Sequence, residues 1–219
     1  MKKFARIVVG EGLLRDNSAA ARKNAALFRR KRIVSLNLMG SAGCGKTSLL
    51  EQTLARMKDV PIGVIEGDVA GSFDAQRLRR FSVPIVQINT KGACHLDAVM
   101  VSQALARMPL DDIALLFVEN VGNLVCPAEF PLGVFRNVIV VSVPEGDEKP
   151  AKYPLAFRIS DVCILTKSDL EKSVPFEMRR FRQRLSRVHP GMKLIRVSAL
   201  TGENLDEWIA YLRTLIGSP

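Results

Sequence analysis

Two short runs in this chain hold residue types suited to chemistry. "GSAGCGKTS" fits the spacing G-x-x-x-x-G-K-[ST] and continues into Ser48. It supplies Gly40, Ser41, Ala42, Gly43, Cys44, Gly45, Lys46, Thr47 and Ser48 as candidate nucleotide-binding residues. Glycines at this spacing let the backbone curl with its N–H groups facing an anion. The start of a following helix adds partial positive charge. Lys46 can then reach β- and γ-phosphates, and the Thr47 hydroxyl can ligate Mg²⁺. The second run, "KGACHLDA", sets Cys94 beside His95 in a chain with four Cys and two His. Cys126 follows in "GNLVCPAEF". Two thiolates and an imidazole form a soft three-ligand set suited to Zn²⁺ or Ni²⁺. Adjacent strand residues face opposite ways, so Cys94 and His95 meet on one ion only if the chain turns, which Gly92 permits. Spacing alone leaves a second reading open, two buried thiols and a capping histidine.

Other strand ends add carboxylates. "LLFVENVG" closes a buried run with Glu119, and Gly122 stands three residues on. That is the D-x-x-G arrangement with Glu for Asp, placing a Mg²⁺ ligand and an N–H for the γ-phosphate. Asp68, in "VIEGDVAG", either joins the Mg²⁺ shell or caps a turn. Lys46, Asp68 and Glu119 are the candidate catalytic residues, and Thr47, Asp68 and Glu119 the candidate Mg²⁺ ligands. "LTKSDL" resembles the N-K-x-D base-reading motif of GTPases. Asp169 can accept from guanine N1–H and the N2 amine, which adenine lacks, and Lys167 can lay its stem over the base. Thr166 stands where that motif has Asn, and a hydroxyl does not reproduce an amide. Weaker support of the base loop is expected. Ser198 and Ala199 in "VSAL" resemble the S-A-x motif that backs guanine. Together these favour GTP over ATP. For Cys44, nearby N–H groups and Lys46 can lower the thiol pKa, but the favoured reading is that the residue stands in for a small one.

Positioning these groups requires strands that end together. "IVSLNLM", "IGVIEG", "IVQIN", "IALLFVEN", "NVIVVSVP", "VCILTK" and "KLIRVSA" are short apolar runs. Helical patterns separate most of them, including "KTSLLEQTLARM", "FDAQRLRRF" and "NLDEWIAYLRTLI". Alternation of this kind predicts an α/β P-loop NTPase fold, a mostly parallel sheet with helices on both faces. "RDNSAAARKNAALFRRK" predicts a preceding helix capped by Asp16, Asn17 or Ser18, and a further helix is expected to begin near Leu96. The expected division is an N-terminal helical extension over 1–30 and a P-loop GTPase domain over 31–219. "RIVVG" is left open as a strand.

Composition narrows the classes. Of 219 residues, 47 % are hydrophobic and 25 % charged, which suits a globular chain able to bury a core without covalent staples. Scattered cysteines read as reduced thiols in the cytoplasm. No run reaches the ~18 apolar residues of a membrane span. "MKKFARIVVGEGLL" has the look of a signal peptide, but Arg6, Glu11 and two Gly break it and no cleavage site follows. The net charge of +10 is concentrated in "FRRKR" and "MRRFRQRLSR". Phe28 and Phe181 are the sole aromatics in these runs, too few for a stacking platform, so the runs read as solvated basic faces rather than nucleic-acid surfaces.

At this point the residues resemble a family, the hydrogenase nickel-incorporation GTPases called HypB. The resemblance spans nearly the whole chain, through "RDNSAAARKN", "GSAGCGKTSLL", "VIEGDVAGSFDAQRL", "QINTKGACHLDA", "LFVENVGNLVCPAEFPLG", "VSVPEGDEKPAKYP" and "SALTGENLDEW". It implies delivery of nickel during [NiFe]-hydrogenase maturation, with GTP binding and hydrolysis as the switch. It implies Ni²⁺ or Zn²⁺ on Cys94, His95 and Cys126. It also implies a homodimer formed with GTP, a partner nickel chaperone and the hydrogenase large subunit. Four features depart from the family, one of them the strong positive charge. No Cys-rich or His-rich N-terminal tract is present, so nickel storage is not expected. Lys91 stands where members usually have Gly, and a Thr often found near Ala70–Gly71 is missing. A nucleic-acid-associated P-loop GTPase and the urease-type nickel GTPase are the rival readings. The first gives the Cys and His residues no role, and "ENVGNLVCPA" argues against the second.

Overall fold

The computed structural model describes residues 11–69 and 73–217. Helix α1 (Glu11–Lys31) precedes β1 (Val34–Met39), α2 (Lys46–Arg56), β2 (Ile62–Asp68), α3 (Phe73–Arg79) and β3 (Ile85–Asn89). Then come α4 (Ala98–Leu105), β4 (Leu115–Glu119), α5 (Cys126–Glu129), β5 (Arg136–Ser142), α6 (Lys149–Lys152) and α7 (Pro154–Arg158). Strand β6 (Val162–Thr166), α8 (Met178–Val188), β7 (Lys193–Arg196) and α9 (Leu205–Ile216) complete the order. The seven strands run β3-β2-β4-β1-β5-β6-β7, and every pairing is parallel. The expected α/β P-loop architecture is therefore present.

The central strands are buried nearly throughout, because helices cover both faces. One core layer joins Leu36, Leu38, Phe117 and Val140 to Leu49 and Leu50 of α2 and to Trp208 and Leu212 of α9. On the opposite face, Ile65, Leu116 and Val118 meet Leu96, Val101 and Leu105 beside α4, together with Phe28 of α1. Helix α8 buries Phe181 and Leu185 and exposes Arg179, Arg180, Arg182 and Arg187, the solvated basic face expected from its sequence.

Two helix starts differ from the sequence expectation. Asp16, Asn17 and Ser18 lie inside α1 and cap nothing at its start. Asn17 is buried instead, donating to Pro131 O at 3.0 Å and accepting from Ala98 N at 2.7 Å. Asn24, two turns on, donates to Ala98 O and Leu132 O at 2.9 and 3.1 Å. Residue types that favour caps also bridge packed segments, and here the tertiary bonds prevail. Helix α4 starts at Ala98, two residues after the expected Leu96. Asp97 is its N-cap, accepting from Met100 N at 2.7 Å. "RIVVG", and the positions Ala70–Gly71 near which the resembled family often has a Thr, lie outside the described residues. No helix among the described residues is long and apolar enough to cross a membrane.

Candidate active site and metal centre

In an open parallel sheet, ligands bind beyond the carboxyl ends of the strands. Here β1 feeds the loop Gly40–Gly45, and Gly45 takes φ +99° as the N-cap of α2. Most residues cannot hold that backbone without strain. A cavity of about 390 Å³ opens over the loop, lined by Gly43, Lys46, Thr47, Asp68, Glu119 and Gly122 among others. Lys46 Nζ donates to Gly40 O and Ser41 O at 3.1 and 3.2 Å, so the ammonium arches over the loop. Thr47 Oγ1 donates to Glu119 Oε1 at 2.7 Å. A hydroxyl and carboxylates at this place are the hard oxygen donors that Mg²⁺ takes. Asp68 lines the same cavity while its Oδ1 accepts from Val69 N at 2.6 Å, so it stands both as turn acceptor and at the mouth.

Gly122 approaches the loop so closely that an added Cβ would lie 2.8 Å from Ala42 Cα. Its neighbour Asn123 forms an isolated antiparallel bridge with Gly40. The segment after β4 is thus laid directly on the phosphate loop.

The base-loop residues gather from three places in the chain. Thr166 is buried, with its hydroxyl bonded to Cys44 O and 3.2 Å from Val141 O. Where Thr replaces Asn, the hydroxyl still ties the base loop to the phosphate loop. Lys167 adopts φ +56° and donates from Nζ to Gly43 O at 2.8 Å. Ser198 Oγ donates to Asp169 Oδ1 at 2.5 Å, and Ala199 O accepts from Gln52 at 2.7 Å. Asp169, Ser198 and Ala199 adjoin one another but do not line the phosphate cavity. Ser41 lies beside Lys149, whose Nζ is 3.3 Å from its hydroxyl.

The soft ligands converge. Cys94 Sγ lies 3.0 Å from Cys126 Sγ and 3.8 Å from His95 Nδ1, and the three donors fall within 4.8 Å of one another. The turn that makes this possible lies at Lys91 and Gly92, with φ +51° and +101°. Asn89 Oδ1 accepts from Lys91 N at 2.9 Å and steadies it. Lys91 therefore keeps a left-handed backbone, at a cost of roughly 1–2 kcal/mol against glycine. Burial lowers the His95 pKa, against the opposing pull of Asp97 and Glu129, a direction that favours the neutral ring. The Phe130 ring lies on it, centroids 4.0 Å apart. Cys126 has its thiol pKa raised, first by its hydrogen bond with Cys94 and then by desolvation.

The family model described as "CobW/HypB/UreG, nucleotide-binding domain" matches residues 34–196. Hydrogenase maturation factor HypB of Escherichia coli K12 is 45 % identical over 203 residues, 92 % of this chain and 70 % of that protein. The chain belongs to the HypB family. It is a P-loop GTPase of that family, as its loop and base-reading residues lead one to expect. The crystal structure of HypB from Archaeoglobus fulgidus superimposes with a TM-score of 0.86 at 37 % identity, covering 92 % of this chain and 99 % of that one. HypB from Helicobacter pylori, solved in complex with nickel, gives 0.88 at 33 %, covering 92 % and 95 %.

Several residues of this HypB-family site are not evident from sequence. Glu66 is buried, lines the phosphate cavity and sits in register with Glu119 on the adjacent strand. Its sequence signal is its place two residues before Asp68, on the same strand face. Arg77 lines the cavity too, with its guanidinium 3.1 Å from Ser48 Oγ. Asn123 and Phe130 lie within the run "LFVENVGNLVCPAEFPLG", but their residue types and spacing alone assign them no role.

Of the two readings of Cys44, the activated thiol is the one the structure does not support. The Cys44 side chain points into the core, and burial pushes its thiol up to about 11, which outweighs the pull of Lys46. Cys163 is buried and raised likewise. Iodoacetamide at pH 8 should therefore alkylate Cys94 and Cys126 and leave Cys44 and Cys163 unmodified in the folded chain, as read by peptide mass spectrometry. Rapid labelling of Cys44 would contradict this placement.

Proposed function

We propose that this chain is a GTP-hydrolysing nickel metallochaperone for [NiFe]-hydrogenase maturation, its nucleotide state coupled to metal held by Cys94, His95 and Cys126. The observation that carries the reading is the joining of the two centres by one segment. Glu119 contacts Thr47, Gly122 lies on Ala42, and Cys126 closes the three-donor cluster. Movement at the phosphate loop must pass along these eight positions to reach the sulfurs.

Thr47, Asp68 and Glu119 would hold Mg²⁺, which when bound neutralises charge on the phosphate oxygens. Lys46 binds the β- and γ-phosphates, the loop amides orient them, and Asp169 with Lys167 selects guanine. Nickel is the cargo. Cys94 Sγ and Cys126 Sγ lie 3.0 Å apart, and two thiolates with one imidazole suit Ni²⁺ and Zn²⁺ alike. Three protein ligands leave a position for a ligand from elsewhere, as transfer requires.

The division into a helical extension over 1–30 and a GTPase domain over 31–219 belongs to this reading, although α1 runs to Lys31 and its Asn17 and Asn24 bond into the domain. So do a GTP-dependent homodimer, a nickel chaperone and the hydrogenase large subunit as partners, and a cytoplasmic location.

The test is light scattering with metal counting, in GDP and in a non-hydrolysable GTP analogue. The expected result is a dimer with nickel bound in the analogue and a monomer in GDP. The same mass and nickel content in both states would remove the coupled reading.

A further inference from the structure

We infer that Asn123 is the positioning residue through which the phosphate loop and the metal cage are coupled, an inference that rests on the function proposed above. Its backbone bridges Gly40, the first glycine of the phosphate loop. Its side chain reaches the other way. Nδ2 donates to Cys94 O at 3.3 Å, and Oδ1 accepts from Val125 N, next to Cys126, at 2.9 Å. One residue thus holds the phosphate loop with its main chain and both cysteine-bearing loops with its amide. Cys94 and Cys126 are 32 positions apart, and in the sequence nothing local sets their spacing.

The surroundings make the connection stiff. Gly122 has no free space toward Ala42, so a shift of the loop displaces Asn123 rather than being absorbed. Asn120 holds the neighbouring metal loop, its Oδ1 accepting from Leu96 N at 2.9 Å and its Nδ2 donating to Asn37 Oδ1 at 3.1 Å. Leu96 packs onto Gly67, where an added Cβ would lie 2.7 Å away. The metal loop is therefore fixed behind His95, and the Asn123 amide is the adjustable link between its carbonyl and the Cys126 loop. Asn120 is buried and lines the nucleotide cavity, whereas Asn123 is half-buried and does not, so Asn123 is the residue that can be changed cleanly.

Coupling is read as the ratio of Ni²⁺ dissociation constants in GDP and in a non-hydrolysable GTP analogue, and the same factor must appear in analogue affinity with and without Ni²⁺. The measurement is made on the full chain and on Asn123→Ala and Asn123→Asp, each first shown to melt as a folded protein. Asp keeps the acceptor for Val125 N and loses the donor to Cys94 O. The parent is expected to show a ratio of at least fivefold, and both variants a ratio at least threefold closer to one. A purely structural role would weaken Ni²⁺ binding equally in both nucleotide states and leave the ratio intact. That outcome, or variants indistinguishable from the parent, overturns the inference. Loss of Ni²⁺ binding in both states does so too. A parent ratio of one would overturn the coupled function itself, and the inference with it.

Discussion

Lys46→Ala lowers GTP turnover by roughly 10³-fold or more while the chain stays folded. The lysine is buried over the loop, its ammonium held by Gly40 O and Ser41 O. A positioned donor to charge that develops in a transition state is worth about 10²–10³ in rate, and a buried cation facing phosphate oxygens more. Alanine favours helix at the first position of α2, so loss of rate is not expected to come from loss of structure. Phosphate release at saturating GTP is the measurement, with thermal melting as the control for fold. Turnover within tenfold of the parent would mean that Lys46 does not bind the transferred phosphate.

Cys126→Ala is expected to weaken Ni²⁺ binding by at least 10²-fold. It removes one of three donors that lie within 4.8 Å of one another. Changes in the outer partners of a metal site already cost about 10–100-fold, and losing a ligand costs more. Cys126 is the first residue of α5 and partly exposed, so the substitution leaves no core cavity. Competition with a chromogenic chelator reads the affinity. Cys163→Ala is the contrasting variant, since that thiol is buried in β6 beside Ile139 and Leu194. It should cost stability and leave nickel affinity unchanged. A Cys126→Ala chain that held nickel as tightly as the parent would remove this residue from the metal site.

The phosphate loop, the candidate base-reading residues and the strand-helix alternation are legible in the sequence because each depends on neighbours in the chain. A glycine spacing sets a turn, a helix follows it, and the two together make an anion site wherever they occur. Thr166 shows where such reading stops. Its hydroxyl looks like a poor substitute for an amide until the fold puts Cys44 O against it. Cys44 shows the reverse, since its sequence neighbours suggest an activated thiol and burial makes it inert.

Sequence by itself therefore determined the fold class and the nucleotide loop, and it offered Cys94, His95 and Cys126 as candidate metal donors. Only the tertiary structure decided that Glu66 faces the cavity in register with Glu119, that Phe130 lies on His95, and that Asn123 spans both centres. These depend on strand order and on loops brought together across tens of residues. Local propensity and residue spacing act over a few positions, whereas parallel crossovers set which distant strand ends become neighbours.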